Sequence, residues 1–89
     1  MLHIAERHLT EMDKTGLQRF LARAEQRVTN GAHRIAQQEA FIAGIEQRGQ
    51  DARLARRALL RFEAEQAAHL ADRAQLRTRF SQAWLKGRA

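Results

Sequence analysis

Few residues in this chain have the type and spacing for chemistry. His69 follows Glu65 by four positions and precedes Asp72 by three, so a helix would carry all three on one side, as a divalent-metal site requires. The carboxylate-and-histidine pattern of metal-binding bundles is Glu-x-x-His. Here that slot reads Gln66-x-x-His69, and His33 has Asn30 at the same offset. One imidazole with so few partners makes a poor ligand set, so no metal and no cofactor are expected, and His69 reads as a packed histidine near Gln66 and Gln38. His3 and His8, five apart near the start, are weaker candidates still. Nucleophilic catalysis has no better basis. Ser81 is the only serine, cysteine is absent, and the nearest histidine, His69, lies about three helical turns away. Glycines at 16, 31, 44, 49 and 87 are too scattered to form a phosphate-cradling loop. No catalytic residue is assigned, and the chain is not expected to be an enzyme.

Basic residues are the other chemical signal. Lys+Arg number 16 against 10 Asp+Glu, a net charge of +6. Arg53, Arg56, Arg57 and Arg61 form an acid-free run, and no acid follows Asp72, where Arg73, Arg77, Arg79, Lys86 and Arg88 interleave with Phe80 and Trp84. Arg53, Arg56, Arg57, Arg61, Arg77, Arg79 and Lys86 are therefore candidate contacts to nucleic acid, with cations on phosphates and rings stacked on bases. Arginine enrichment in an alanine-rich chain is, however, also what high-GC coding produces, and Phe80 falls in an apolar stripe. The helices are too long for a helix-turn-helix. A membrane-surface role for the 53–62 face is weaker, because its apolar side is needed for a core.

These residues must be positioned by helices. The 89 residues allow one small domain. There is no proline, 17 residues are alanine, and leucine, glutamine, glutamate and arginine supply much of the rest. Without cysteine there is neither a disulfide framework nor a thiolate zinc site. From Leu17 onward, apolar or small residues recur in alternating steps of four and three: Leu17, Leu21, Ala24, Val28, Gly31, Ile35, Gln38, Ile42, Ile45. This heptad frame, with Leu21, Val28, Ile35 and Ile42 spaced by seven, predicts one long helix over residues 15–48 with a coiled-coil seam. Thr15 and Gln18 can form a capping box at its start, and Gly49 can close its end. Asn30-Gly31 is a turn signal, yet Val28 and Ile35 keep phase across it, so the helix is expected to continue, with Gly31 admitting a close neighbour.

Residues 49–51 then form the turn, and Asp51 caps a second helix over 52–86. Its stripe is less regular: Ala55, Leu59, Phe62, Leu70, Leu76, Phe80 and Trp84. In an antiparallel hairpin, positions whose numbers sum to about 97 face each other. Phe62 then meets Ile35, Gln66 meets Gly31, His69 meets Val28, Leu76 meets Leu21, and Phe80 meets Leu17. The expected length is roughly 45 to 50 Å. Leu2, Ala5, Leu9 and Met12 form a separate stripe out of phase with Leu17, so residues 1–14 are expected to be a short N-terminal segment with a break at Lys14-Thr15-Gly16.

Two helices cover only one stripe each, and Phe20, Phe41, Leu54 and Leu60 lie beside it. A small core needs support, which predicts an all-α homodimer forming a four-helix bundle. Leu21, Val28, Ile35, Ile42, Phe62 and Leu76 are the expected self-association residues. The function that follows is a non-enzymatic interaction module, an adaptor or small regulator with an unidentified protein partner, the alternative being a nucleic-acid-binding or architectural protein.

No export signal precedes Asp13, and no apolar stretch exceeds four residues, so no membrane span and a cytoplasmic location are expected. Residues 24–77 resemble the short uncharacterised helical-hairpin proteins of alphaproteobacteria. The resemblance rests on Ala24-Glu25-x-Arg27-Val28, Gly31, Arg34-Ile35-Ala36, Ile42-Ala43-x-Ile45-Glu46, Gly49-x-Asp51, Leu59-Leu60-x-Phe62-Glu63, His69 and Asp72-Arg73-x-x-Leu76. It implies an all-α hairpin and a bacterial cytoplasmic setting, with no activity attached, and it does not extend to residues 1–23.

Overall fold

The computed structural model describes the backbone of residues 2–88 and the side chains of residues 14–86. Helix α1 spans Leu2–Gln47, helix α2 spans Arg53–Arg88, and the two pack along each other as an antiparallel hairpin. α1 ends where expected. Gly49 adopts φ 70°, its N–H donates to the Glu46 carbonyl at 2.9 Å, and the Gln50 N–H donates to the Ile45 carbonyl at 3.0 Å. This bond pair is the glycine-terminated Schellman motif, which satisfies the last carbonyls of the helix. At the start of α2 the Ala52 carbonyl accepts the Arg56 N–H at 2.9 Å, while Asp51 Oδ1 accepts the Arg53 N–H at 3.0 Å. Asp51 thus acts one position earlier than an N-cap, through an Asx turn, and leaves the cap position to the small, buried Ala52.

Every frame position from Leu17 to Ile45 is buried or half-buried, and between residues 17 and 47 only Gly44 joins them. The chain stays helical through Asn30-Gly31, as the phase argument requires. α2 follows the same alternation more strictly than its apolar stripe suggests. Positions 52, 55, 59, 62, 66, 69, 73, 76, 80 and 83 are covered, with Ala58 beside them. Gln66, His69 and Arg73 therefore occupy frame positions, and Leu70 and Trp84, expected in the stripe, sit outside it and are exposed. Polar residues on the true frame hid its regularity.

The expected break at residues 14–16 is also overturned. Lys14, Thr15 and Gly16 lie inside α1, so there is no break there, no helix start, and no set of free first-turn amides for Thr15 and Gln18 to cap. A single glycine costs a helix only about 1 kcal/mol, and the frame continues backward to Lys14, whose ammonium lies 5.9 Å from the centre of the Trp84 ring. The long dimension is accordingly 69 Å rather than 45 to 50. The side chains of Leu2, His3, Ala5, His8, Leu9 and Met12 lie outside the described residues.

Packing is tightest beside the turn. Ile42, Ile45 and Ala52 form the buried cluster, with Ala55 and Leu59 against it; Ala24 is the other buried apolar residue among those described.

Candidate functional site

The heptad geometry gives the hairpin two flanks, and ion pairs mark both. On one, Arg27 reaches Asp72 and Arg34 reaches Glu65, each at 3.7 Å. On the other, Arg77 reaches Glu25 at 3.3 Å and Arg56 reaches Glu46 at 2.9 Å. An antiparallel coiled coil pairs like heptad positions across each flank, and these four bridges follow that rule. All are well exposed, and each is worth little in stability. The Glu46 carboxylate, hydrogen-bonded to Arg56, pushes the Arg56 guanidinium pKa up.

The residues expected to drive self-association lie in the seam between the chain's own two helices. Ile42 is buried; Leu21, Val28, Ile35, Phe62 and Leu76 are half-buried. What remains for a partner lies to either side. By heptad position Phe20, Phe41 and Leu54 belong to the flank of the Arg27–Asp72 bridge, whereas Leu60, Leu70 and Trp84 belong to the flank of the Arg77–Glu25 bridge. Leu85 points away from the seam. All seven are exposed, Leu54 most of all at 78%.

The candidate nucleic-acid contacts do not form one patch. Arg53 is tied to Asp51 at 2.8 Å, Arg56 to Glu46 and Arg77 to Glu25. Arg57, Arg61, Arg79 and Lys86 are exposed and have no carboxylate partner among the described residues. Arg57 and Arg61 stand near the turn, Arg79 and Lys86 at the far end.

His69 does not assemble a metal site with its neighbours. Glu65 and Asp72 are drawn across the seam to Arg34 and Arg27, and no group of three His, Asp or Glu side chains able to hold a metal occurs among the described residues. His69 instead borders a groove of about 210 Å³ with Arg27, Arg34, Phe62, Glu65 and Gln66. Gln38 is not near it, because its Nε2 donates to the Ala55 carbonyl at 2.8 Å, several turns away toward the turn. Gln66 Nε2 donates to the Val28 carbonyl, also at 2.8 Å, and its Oε1 is buried without a partner. The register had set Gln66 against Gly31, but the bond to the Val28 carbonyl was not read from the sequence, and for the Gln38 cross-link the only signal was a polar residue at a frame position.

No helix among the described residues is long and apolar enough to cross a membrane. Comparison with family models, with curated proteins and with solved structures gave no match.

Proposed function

We propose that the hairpin is a non-enzymatic interaction module that pairs with a second copy as a four-helix bundle and acts by holding another protein, as an adaptor or small regulator. The observation that carries this reading is the mismatch between core and surface: among the described residues four apolar side chains, two of them alanine, are buried, while seven leucine, phenylalanine or tryptophan side chains stay exposed on an elongated chain. Its accessible surface is 7411 Å². A compact chain of 10.2 kDa would expose about 5,300 Å². The excess of about 2,100 Å² per chain is more than the roughly 800 Å² that a standard interface removes from each partner. The bacterial cytoplasmic setting belongs to this reading through the resemblance of residues 24–77 alone.

Sedimentation equilibrium of the whole chain tests it, with Phe41→Glu and Leu60→Glu representing the two flanks. A dimer of about 20 kDa is expected for the wild type, and one of the two variants should become a monomer with its helicity intact. A wild type that sediments as a folded monomer overturns the proposal.

A further inference from the structure

The antiparallel fold sorts charge along the hairpin's length. Residues 25–72, the half that contains the turn, hold seven Lys or Arg and seven Asp or Glu, so the whole excess of +6 belongs to the two chain ends. Folding brings those ends together: Lys14 lies over the Trp84 ring, and Arg77 bridges to Glu25 at the border. Between residues 14 and 24 the cations are Lys14, Arg19 and Arg23; between 73 and 86 they are Arg73, Arg77, Arg79 and Lys86; neither stretch contains a carboxylate. Residues 1–13, whose side chains are not described, add Glu6, Glu11 and Asp13 against Arg7, which lowers the charge of the open end without cancelling it.

The same end carries exposed rings. Phe20 is 55% and Trp84 54% exposed. Phe80 meets Trp84 edge to face at 6.3 Å, and with Ser81 and Leu85 they line a cleft of about 350 Å³. From this juxtaposition we infer that the open end of the hairpin binds single-stranded nucleic acid, with the arginines on its phosphates and Trp84 stacked on a base. Five of the seven cations are arginine, whose planar guanidinium suits phosphate and base faces better than an ammonium does. A single strand fits better than a membrane surface, because Phe20 and Trp84 lie on opposite flanks and one flat bilayer cannot receive both, whereas a flexible strand can pass from one to the other. Duplex DNA offers phosphates but no unstacked base for Trp84. The site shares Phe20, Trp84 and Leu85 with the exposed apolar set that supports the dimer, but it lies at the open end and uses neither Phe41 nor Leu60, the residues whose variants test the dimer.

Trp84 is the only tryptophan, so its fluorescence reports the site directly. The full chain is titrated with an oligothymidylate, a duplex of the same length, and vesicles of phosphatidylserine. The oligothymidylate should quench Trp84, and its affinity should fall about 50-fold between roughly 50 and 200 mM salt if about four phosphates are neutralised. Paired charge reversal Arg19→Glu/Arg79→Glu should weaken binding at least tenfold, while Arg57→Glu/Arg61→Glu in the neutral half should change it less than threefold, circular dichroism showing both variants helical. The inference fails if the oligothymidylate leaves Trp84 fluorescence unchanged, if duplex or vesicles bind more tightly than the single strand, or if the two reversals weaken binding equally.

Discussion

Gln66 lies across Gly31: its Nε2 donates to the Val28 carbonyl at 2.8 Å, and its Oε1 occupies the space that a Cβ on residue 31 would need. The glycine thereby has a packing reason for standing inside a helix. Replacing Gly31 by alanine should gain about 1 kcal/mol of helix propensity and lose a similar amount as Gln66 is displaced from its bond. Gly31→Ala alone should therefore be near neutral. In a Gln66→Ala background the same change should stabilise by about 1 kcal/mol, a coupling that a double-mutant cycle in urea reads directly. Equal effects in both backgrounds would show that the two residues are energetically independent.

Gly49 supplies the left-handed residue of the turn, at φ 70°. An L side chain there costs roughly 1 to 2 kcal/mol, so Gly49→Ala should lower the melting temperature by several degrees. Gly49→Asn, which tolerates this conformation better, should lower it less. Gly16 is not in that conformation and a Cβ there meets nothing within 4 Å. Gly16→Ala should raise the melting temperature, and thermal unfolding of the three variants gives the order.

Asp51 is exposed, and its hydrogen bonds from the Arg53 side chain and then from the Arg53 backbone hold its carboxyl below the ordinary carboxylate range. A depressed folded-state pKa means that the contribution is complete above the unfolded value of about 3.9 and disappears as pH falls through the lower folded value. Asp51→Asn keeps an acceptor for the Arg53 N–H and removes the titration. The melting temperature of the variant should fall less steeply than that of the wild type below about pH 4. Parallel acid limbs would assign the Asp51 carboxylate no role in acid sensitivity.

The spacing that sets Arg77 against Glu25 and Arg56 against Glu46 sets Glu63 against Glu39 between them, and neither has a cationic partner among the described residues. Glu63→Arg should complete the row, replacing a like-charge pair by a bridge worth about 0.3 to 1 kcal/mol at low salt. The gain should shrink as salt is raised. Chemical denaturation at two ionic strengths checks both statements, and a destabilised variant would mean that this flank is covered by something that prefers the carboxylate.

Much of the fold was legible locally. The frame from Leu17 to Ile45 predicted the covered face of α1, Gly49 predicted its end, and the register of about 97 placed Gln66 on Gly31. Periodicity and turn chemistry depend on neighbours within a few residues, and such neighbours are present in the string of letters. The second helix was harder to read for the same reason. Counting apolar residues selected Leu70 and Trp84 and passed over Gln66, His69 and Arg73, because a frame position is defined by what lies across it, and hydropathy does not record that.

By itself the sequence determined two helices, their stop and start around Gly49 and Asp51, and a seam too thin to hide its large apolar residues. Only the tertiary structure decided that α1 runs unbroken through Lys14–Gly16, that Arg53, Arg56 and Arg77 are engaged while Arg57, Arg61, Arg79 and Lys86 are not, and that the surplus charge gathers at one end. The physical reason is that a charge's role depends on its distance to other charges. For residues 60 positions apart in sequence, antiparallel pairing sets that distance.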